Sequence, residues 1–153
     1  LLLYESDLAC GNRWTDEHKL QGKDLVGWCH GSSGIALALN SMPSVVSSNV
    51  KLTEYLAAAE KNTANCGAYT SQCLCHGEAG NLFSIKNFHG QGSHEYYRER
   101  SEQFENTFKK NGFHSLDVAQ TLGIGVMTGI PGAGYFLLEK LAKKPLLGFL
   151  TLD

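Results

Sequence analysis

The chain has 153 residues, 42% of them hydrophobic, enough for one sizeable core and therefore for one domain or a piece of one. Its formal net charge of −2 exerts no pull toward nucleic acid or an anionic membrane, and no apolar run approaches the roughly 18 residues a membrane span needs. Five cysteines is an odd number, which argues against a complete disulfide framework and for a reducing, cytoplasmic setting.

In chain order, residues 1–8 are apolar but broken by Glu5 and Asp7, without a basic flank or a small-residue cleavage site. They read as the end of a helix, and a chain opening on Leu1 within a helical pattern is expected to be part of a longer protein. A polar stretch follows at 10–23, then Trp28-Cys29-His30-Gly31-Ser32-Ser33-Gly34 and a short apolar segment, 35–39. Residues 45–62 carry Val45, Val46, Leu52, Tyr55, Leu56 and Ala59 at helical spacing with Lys51, Glu54 and Lys61 on the other side, predicting one amphipathic helix. After a polar loop at 65–72 comes Leu74-Cys75-His76-Gly77-Glu78-Ala79-Gly80 and a second apolar segment, 82–85. Beyond a loop at 87–93, a helix is predicted over 94–110, burying Tyr97, Phe104 and Phe108 and stopping at Asn111-Gly112. Last come Met127-Thr128-Gly129-Ile130-Pro131-Gly132-Ala133-Gly134, an apolar segment at 135–141 and a tail at 146–150 too short to assign.

The first glycines of the three motifs, Gly31, Gly77 and Gly129, lie 46 and 52 residues apart, the length of one helical hairpin with its turns. The predicted fold is all-α: short apolar inner helices, each opened by a glycine turn, alternate with long amphipathic outer ones. The glycines permit sharp turns and close packing where a side chain would clash.

Two of the three copies carry Cys-His. Cys29 and Cys75 each precede a glycine turn that opens an inner helix, where unpaired N–H groups and the positive end of the helix dipole favour a thiolate. Cys29, Cys75 and His76 would supply two sulfurs and one nitrogen, leaving a tetrahedral zinc with an open fourth position, as catalytic sites do. The plain alternative is that Cys-His-Gly merely packs a helical turn. Against it stands the third copy, where Met127-Thr128 keeps the turn and drops the ligands. Cys66 and Cys73 read as small buried hydrophobes, with a ligand or disulfide role as the alternative. Glu78 reads as an exposed turn residue or as a hydrogen-bond partner orienting a ligand. His30 is a candidate hydrogen-bond donor to a ligand, or a proton donor, whereas His18, His89, His94 and His114 read as solvated surface histidines.

Trp28-Cys29-His30-Gly31-Ser32-Ser33-Gly34-Ile35 and Cys75-His76-Gly77-Glu78-Ala79-Gly80-Asn81 resemble the zinc motifs of the lanthionine synthetase C-like cyclases. The closing segment from Gly125 to Tyr135 and the tail to Asp153 are most similar to the C-terminus of the bifunctional class II synthetases. The resemblance implies part of an α/α toroid, a barrel of helical hairpins, with residues 1–153 forming the C-terminal portion of a cyclase domain. It implies zinc held by Cys29, Cys75 and His76 at one mouth of the cavity, and His30 at a variable position beside it. The implied reaction adds a cysteine thiolate of a dehydrated precursor peptide to dehydroalanine or dehydrobutyrine, closing a lanthionine or methyllanthionine ring. The implied partners are that peptide and the remainder of the synthetase chain. The family often has Ala-Pro where Ser32-Ser33 stand, and its upstream His-Gly motif and acidic residue have no match here, nor does any phosphate-binding motif. Two other readings are a thiol- or glutathione-binding module, as in eukaryotic relatives, and a helical scaffold with a structural zinc completed by a fourth ligand such as Cys73. The Met127-Thr128-Gly129 ending favours the cyclase over the binding module.

Overall fold

The computed structural model describes residues 26–66, 71–88, 92–114 and 124–142. Six helices lie in them, and no strand: α1 (Ser32–Asn40), α2 (Pro43–Ser47), α3 (Val50–Asn65), α4 (Glu78–Ile85), α5 (Ser93–Asn111) and α6 (Ile130–Ala142). Cys10, His18, His89, the opening segment and the tail fall outside the described residues.

The all-α expectation holds, and each glycine turn does open a short apolar helix. These helices begin three or more residues earlier than their apolar runs, because the turn residues themselves enter the first helical turn. The single helix expected over 45–62 is in fact two. Pro43 starts α2 with its ring preset for the first helical position, and the hydroxyls of Ser47 and Ser48 bond back to Ser44 O and Val45 O, ending it after one turn. Asn49 then caps α3, its side chain accepting from Leu52 N at 3.3 Å. Val45 is left 51% exposed as a result, while Val46 is buried against Leu39 and Leu52.

α4 is the centre of the described fold, touching α1, α3, α5 and α6. Seven of its eight residues are buried, so it fulfils the expectation of an inner helix wrapped on all sides. α6 does not, since Leu138 and Leu141 are 60% and 78% exposed among the described residues. α3 and α5 behave as outer helices, each burying one stripe: Leu52, Ala59 and Thr63 on α3, and Arg100, Ser101 and Phe104 on α5. The main core joins Leu74, Ala79, Leu82, Phe104, Ala133 and Phe136 from α4, α5, α6 and the second turn. Phe104 meets Phe136 edge to face at 5.2 Å, a geometry that adds about 0.5–1.5 kcal/mol to the burial of the rings. Gly112 ends α5 at φ +72°, its N–H bonding Phe108 O at 2.9 Å, as the Asn-Gly stop predicts.

Candidate metal centre

The three glycine turns lie side by side and share one backbone plan. Cys29 N–H donates to Cys75 O at 3.0 Å, and Cys75 N–H donates to Met127 O at 2.8 Å, so equivalent residues of successive copies form a staircase of backbone hydrogen bonds. The second glycine of each copy is required by space. A Cβ on Gly34, Gly80 or Gly132 would stand 1.9, 1.9 or 2.0 Å from the carbonyl oxygen of Trp28, Leu74 or Val126. The backbone folds onto itself there, and only a residue with no side chain fits. Sharp turning through a left-handed backbone is not the reason. Among the described glycines only Gly92 and Gly112 have positive φ, while Gly31 and Gly77 are extended.

The staircase aligns the ligand candidates. One donor atom each from Cys29, Cys75 and His76 lies within 4.8 Å of the other two. Donor atoms around a tetrahedral zinc stand about 3.5–4 Å apart, so the three donors lie close to the spacing that such a metal requires. Cys29 is exposed and Cys75 and His76 are half-buried, which leaves the group reachable from solvent. Two sulfurs and an imidazole are a donor set zinc favours, and among the described residues no fourth His, Cys, Asp or Glu joins them. Met127 and Thr128 take the equivalent place in the third turn and offer no such donors.

The remaining candidates separate. Cys73 is fully buried, its Sγ accepting from Ser71 Oγ at 3.4 Å, and it stands outside the ligand group. Cys66 is exposed at the end of α3, contrary to the expectation of a buried hydrophobe, because the chain leaves the helix stripe at that point. His30 is exposed with Nδ1 2.8 Å from Cys29 Sγ, and its ring centre is 6.4 Å from that of His76. His94 and His114 are exposed, as expected.

Glu78 departs most from its sequence reading: it is 2% exposed and forms a buried ion pair with Arg100 of α5. Arg100 Nε donates to Glu78 Oε1 at 2.7 Å and Nη2 donates to Oε2, a two-pronged contact. Burial alone would lower the affinity of the guanidinium for its proton, but the Glu78 carboxylate outweighs it and the pKa moves up. Spacing could not reveal this, since Arg100 lies 22 residues away on a helix whose other polar residues are mostly exposed. Gly27 was also missed. A Cβ there would press on His76 Cα and His30 Cε1, both at 3.1 Å, so this glycine makes room for the His76 backbone and the His30 ring.

The family model described as lanthionine synthetase C-like protein matches residues 2–151. The chain belongs to that family. The curated lacticin 481/lactococcin biosynthesis protein LcnDR2 of Lactococcus lactis subsp. lactis is 28% identical to it over 153 residues, covering 90% of this chain and 16% of that protein. This lanthionine synthetase C-like chain thus spans about one sixth of the length of the curated relative it matches. No solved structure matches it significantly. No helix among the described residues is long and apolar enough to cross a membrane.

Proposed function

We propose that this chain is the zinc-holding part of a cyclase that forms lanthionine and methyllanthionine in a dehydrated precursor peptide. The observation that carries the reading is the convergence of Cys29, Cys75 and His76 from two glycine turns, with no fourth donor among the described residues. Membership of the lanthionine synthetase C-like family and the likeness to a lacticin 481/lactococcin biosynthesis protein support it. So does the exposure of Cys29, which lets a peptide approach.

Cys29 and Cys75 would bind as thiolates and His76 through a ring nitrogen. Zinc held there would supply a fourth position for the substrate cysteine sulfur and keep it deprotonated near neutral pH. The substrate thiol gives up its proton, and its sulfur adds to the β-carbon of dehydroalanine or dehydrobutyrine. The π pair of the double bond moves onto the α-carbon and its carbonyl, and a proton returned to the α-carbon completes the thioether. The addition is an isomerisation, so no oxidant or co-substrate is consumed. His30, exposed beside Cys29, is this chain's candidate to return that proton. Gly27, having no side chain, leaves room for the His30 ring beside the backbone of His76. The scaffold reading, in which Cys73 would complete the metal, is disfavoured because Cys73 is buried and turned to Ser71.

Metal content by elemental analysis tests this directly. About one zinc per chain is expected, lost in Cys29→Ala and in Cys75→Ala. Ring closure on a dehydrated peptide leaves the mass unchanged, so it is followed as protection of the peptide cysteine from alkylation. A folded protein without zinc would sink the proposal.

A further inference from the structure

The residue that opens each inner helix, three positions after the Cys or Met of its turn, is Ser32, Glu78 or Ile130. In the two copies with ligands it is polar and buried, and in the copy without them it is aliphatic. Both polar residues are tied to one place, the end of α3. Ser32 Oγ pairs with Thr63 Oγ1 at 2.8 Å and accepts from Asn62 Nδ2 at 3.2 Å. Glu78 is held by Arg100, whose Nη1 also donates to Thr63 O at 3.4 Å and contacts Tyr96 Oη at 2.5 Å. The Tyr96 hydroxyl in turn donates to Ala64 O. Ser32, Thr63, Glu78 and Arg100 are at most 5% exposed.

We infer that Arg100 is a positioning residue for the metal ligands, clamping the turn of Cys75 and His76 through Glu78 and registering it, through Thr63 and Ser32, against the turn of Cys29. This rests on the zinc reading above and extends it from the ligands to an outer helix that touches neither metal nor substrate. The geometry favours a specific role over simple filling. A buried ion pair is often no more stabilising than a well-packed apolar pair of similar volume, so its directional bonds are what an apolar pair could not replace. Those bonds fix Glu78 two residues from His76, where a small rotation of the helix start would swing the ligand. Residues that orient metal ligands from behind typically change metal affinity by about 10–100-fold when removed.

The test compares the purified protein with Arg100→Lys and with the double variant Glu78→Leu/Arg100→Leu. Arg100→Lys keeps the buried charge and loses the two-pronged fork; the double variant removes the pair without leaving a lone charge. Zinc affinity is read by competition with a chelator, and site geometry by the absorption of the cobalt-substituted protein. The clamp predicts a zinc affinity about 10-fold or more weaker in both variants and an altered cobalt spectrum, even where the double variant matches the parent in thermal stability. If zinc affinity and cobalt spectrum follow the parent in a folded variant, Arg100 is a packing residue and the inference is overturned. Cys29→Ala and Cys75→Ala run alongside as controls. If they retain zinc, the metal reading itself fails, whereas zinc lost there and retained in the Arg100 variants defeats the clamp alone.

Discussion

The second and third glycine turns share a backbone and differ in nearly everything attached to it. Both close their second glycine against the carbonyl six residues earlier, and they are joined by the hydrogen bond from Cys75 N–H to Met127 O. The second turn carries Cys75 and His76 above a buried Glu78–Arg100 pair, while the third carries Met127 and Thr128 above Ile130. Around the third turn the ion pairs are peripheral: Lys86 to Glu139, and Lys140 to Glu105 at 2.5 Å, each with a partly exposed partner. The turn is therefore a packing device in its own right, and the proposed chemistry is an overlay that two copies carry and one does without.

That separation breaks most sharply at the shared glycines. Gly34→Ala, Gly80→Ala and Gly132→Ala should each destabilise by about 3 kcal/mol or more, since the new methyl meets a backbone oxygen that has nowhere to go. Urea unfolding measures the cost, and equal costs with zinc weakened mainly by the first two would support the overlay. A Gly132→Ala protein as stable as its parent would mean that the third turn is not held as described.

Met127→Ala removes a half-buried side chain packed on the main core and should cost about 1–2 kcal/mol, below the range for fully buried methionine. Zinc content is expected to stay unchanged, and loss of zinc would make Met127 part of the site. Gly134 offers the opposite sign. It lies inside α6 with nothing within 4 Å of where a Cβ would stand, so Gly134→Ala should stabilise by about 0.5–1 kcal/mol in thermal unfolding.

The smallest effect belongs to the peripheral pairs. The hydrogen bond from Lys140, together with its charge, holds the Glu105 carboxyl below its ordinary range against an opposing push from burial. A carboxylate whose pKa is lowered by folding adds stability that is present above its unfolded value of about 4.3 and is lost as pH falls through the folded one. Lys140→Met should therefore cost less than about 1 kcal/mol at neutral pH, less again in high salt, and flatten the acid limb of stability below about pH 4. An Arg100 variant with the same mild, salt-sensitive profile would contradict the contrast between a buried clamp and surface pairs.

Much of the site was legible in one dimension because its parts are short and local. A Cys or Cys-His next to a glycine turn, repeated at hairpin spacing, names Cys29, Cys75 and His76, and the copy that lacks them marks the difference between turn and ligand. The helix stops were legible for the same reason, as at Gly112. The break between α2 and α3 was hidden because apolar spacing runs through it, and only the competition of Ser47, Ser48 and Asn49 for backbone groups divides the helix. Glu78 looked exposed because a glutamate in a turn usually is, and its partner Arg100 sits on another helix at no characteristic spacing.

The sequence by itself determined the all-α class, the threefold glycine turn and the identity of the three proposed ligands, since each depends on residues a few positions apart. Tertiary structure alone decided that the ligand atoms converge within 4.8 Å, that Gly34, Gly80 and Gly132 serve room rather than backbone handedness, and that Glu78 is buried against Arg100. The reason is physical: distances between turns 46 and 52 residues apart are set by helices packing side by side, and a buried charge survives only where packing brings it a partner.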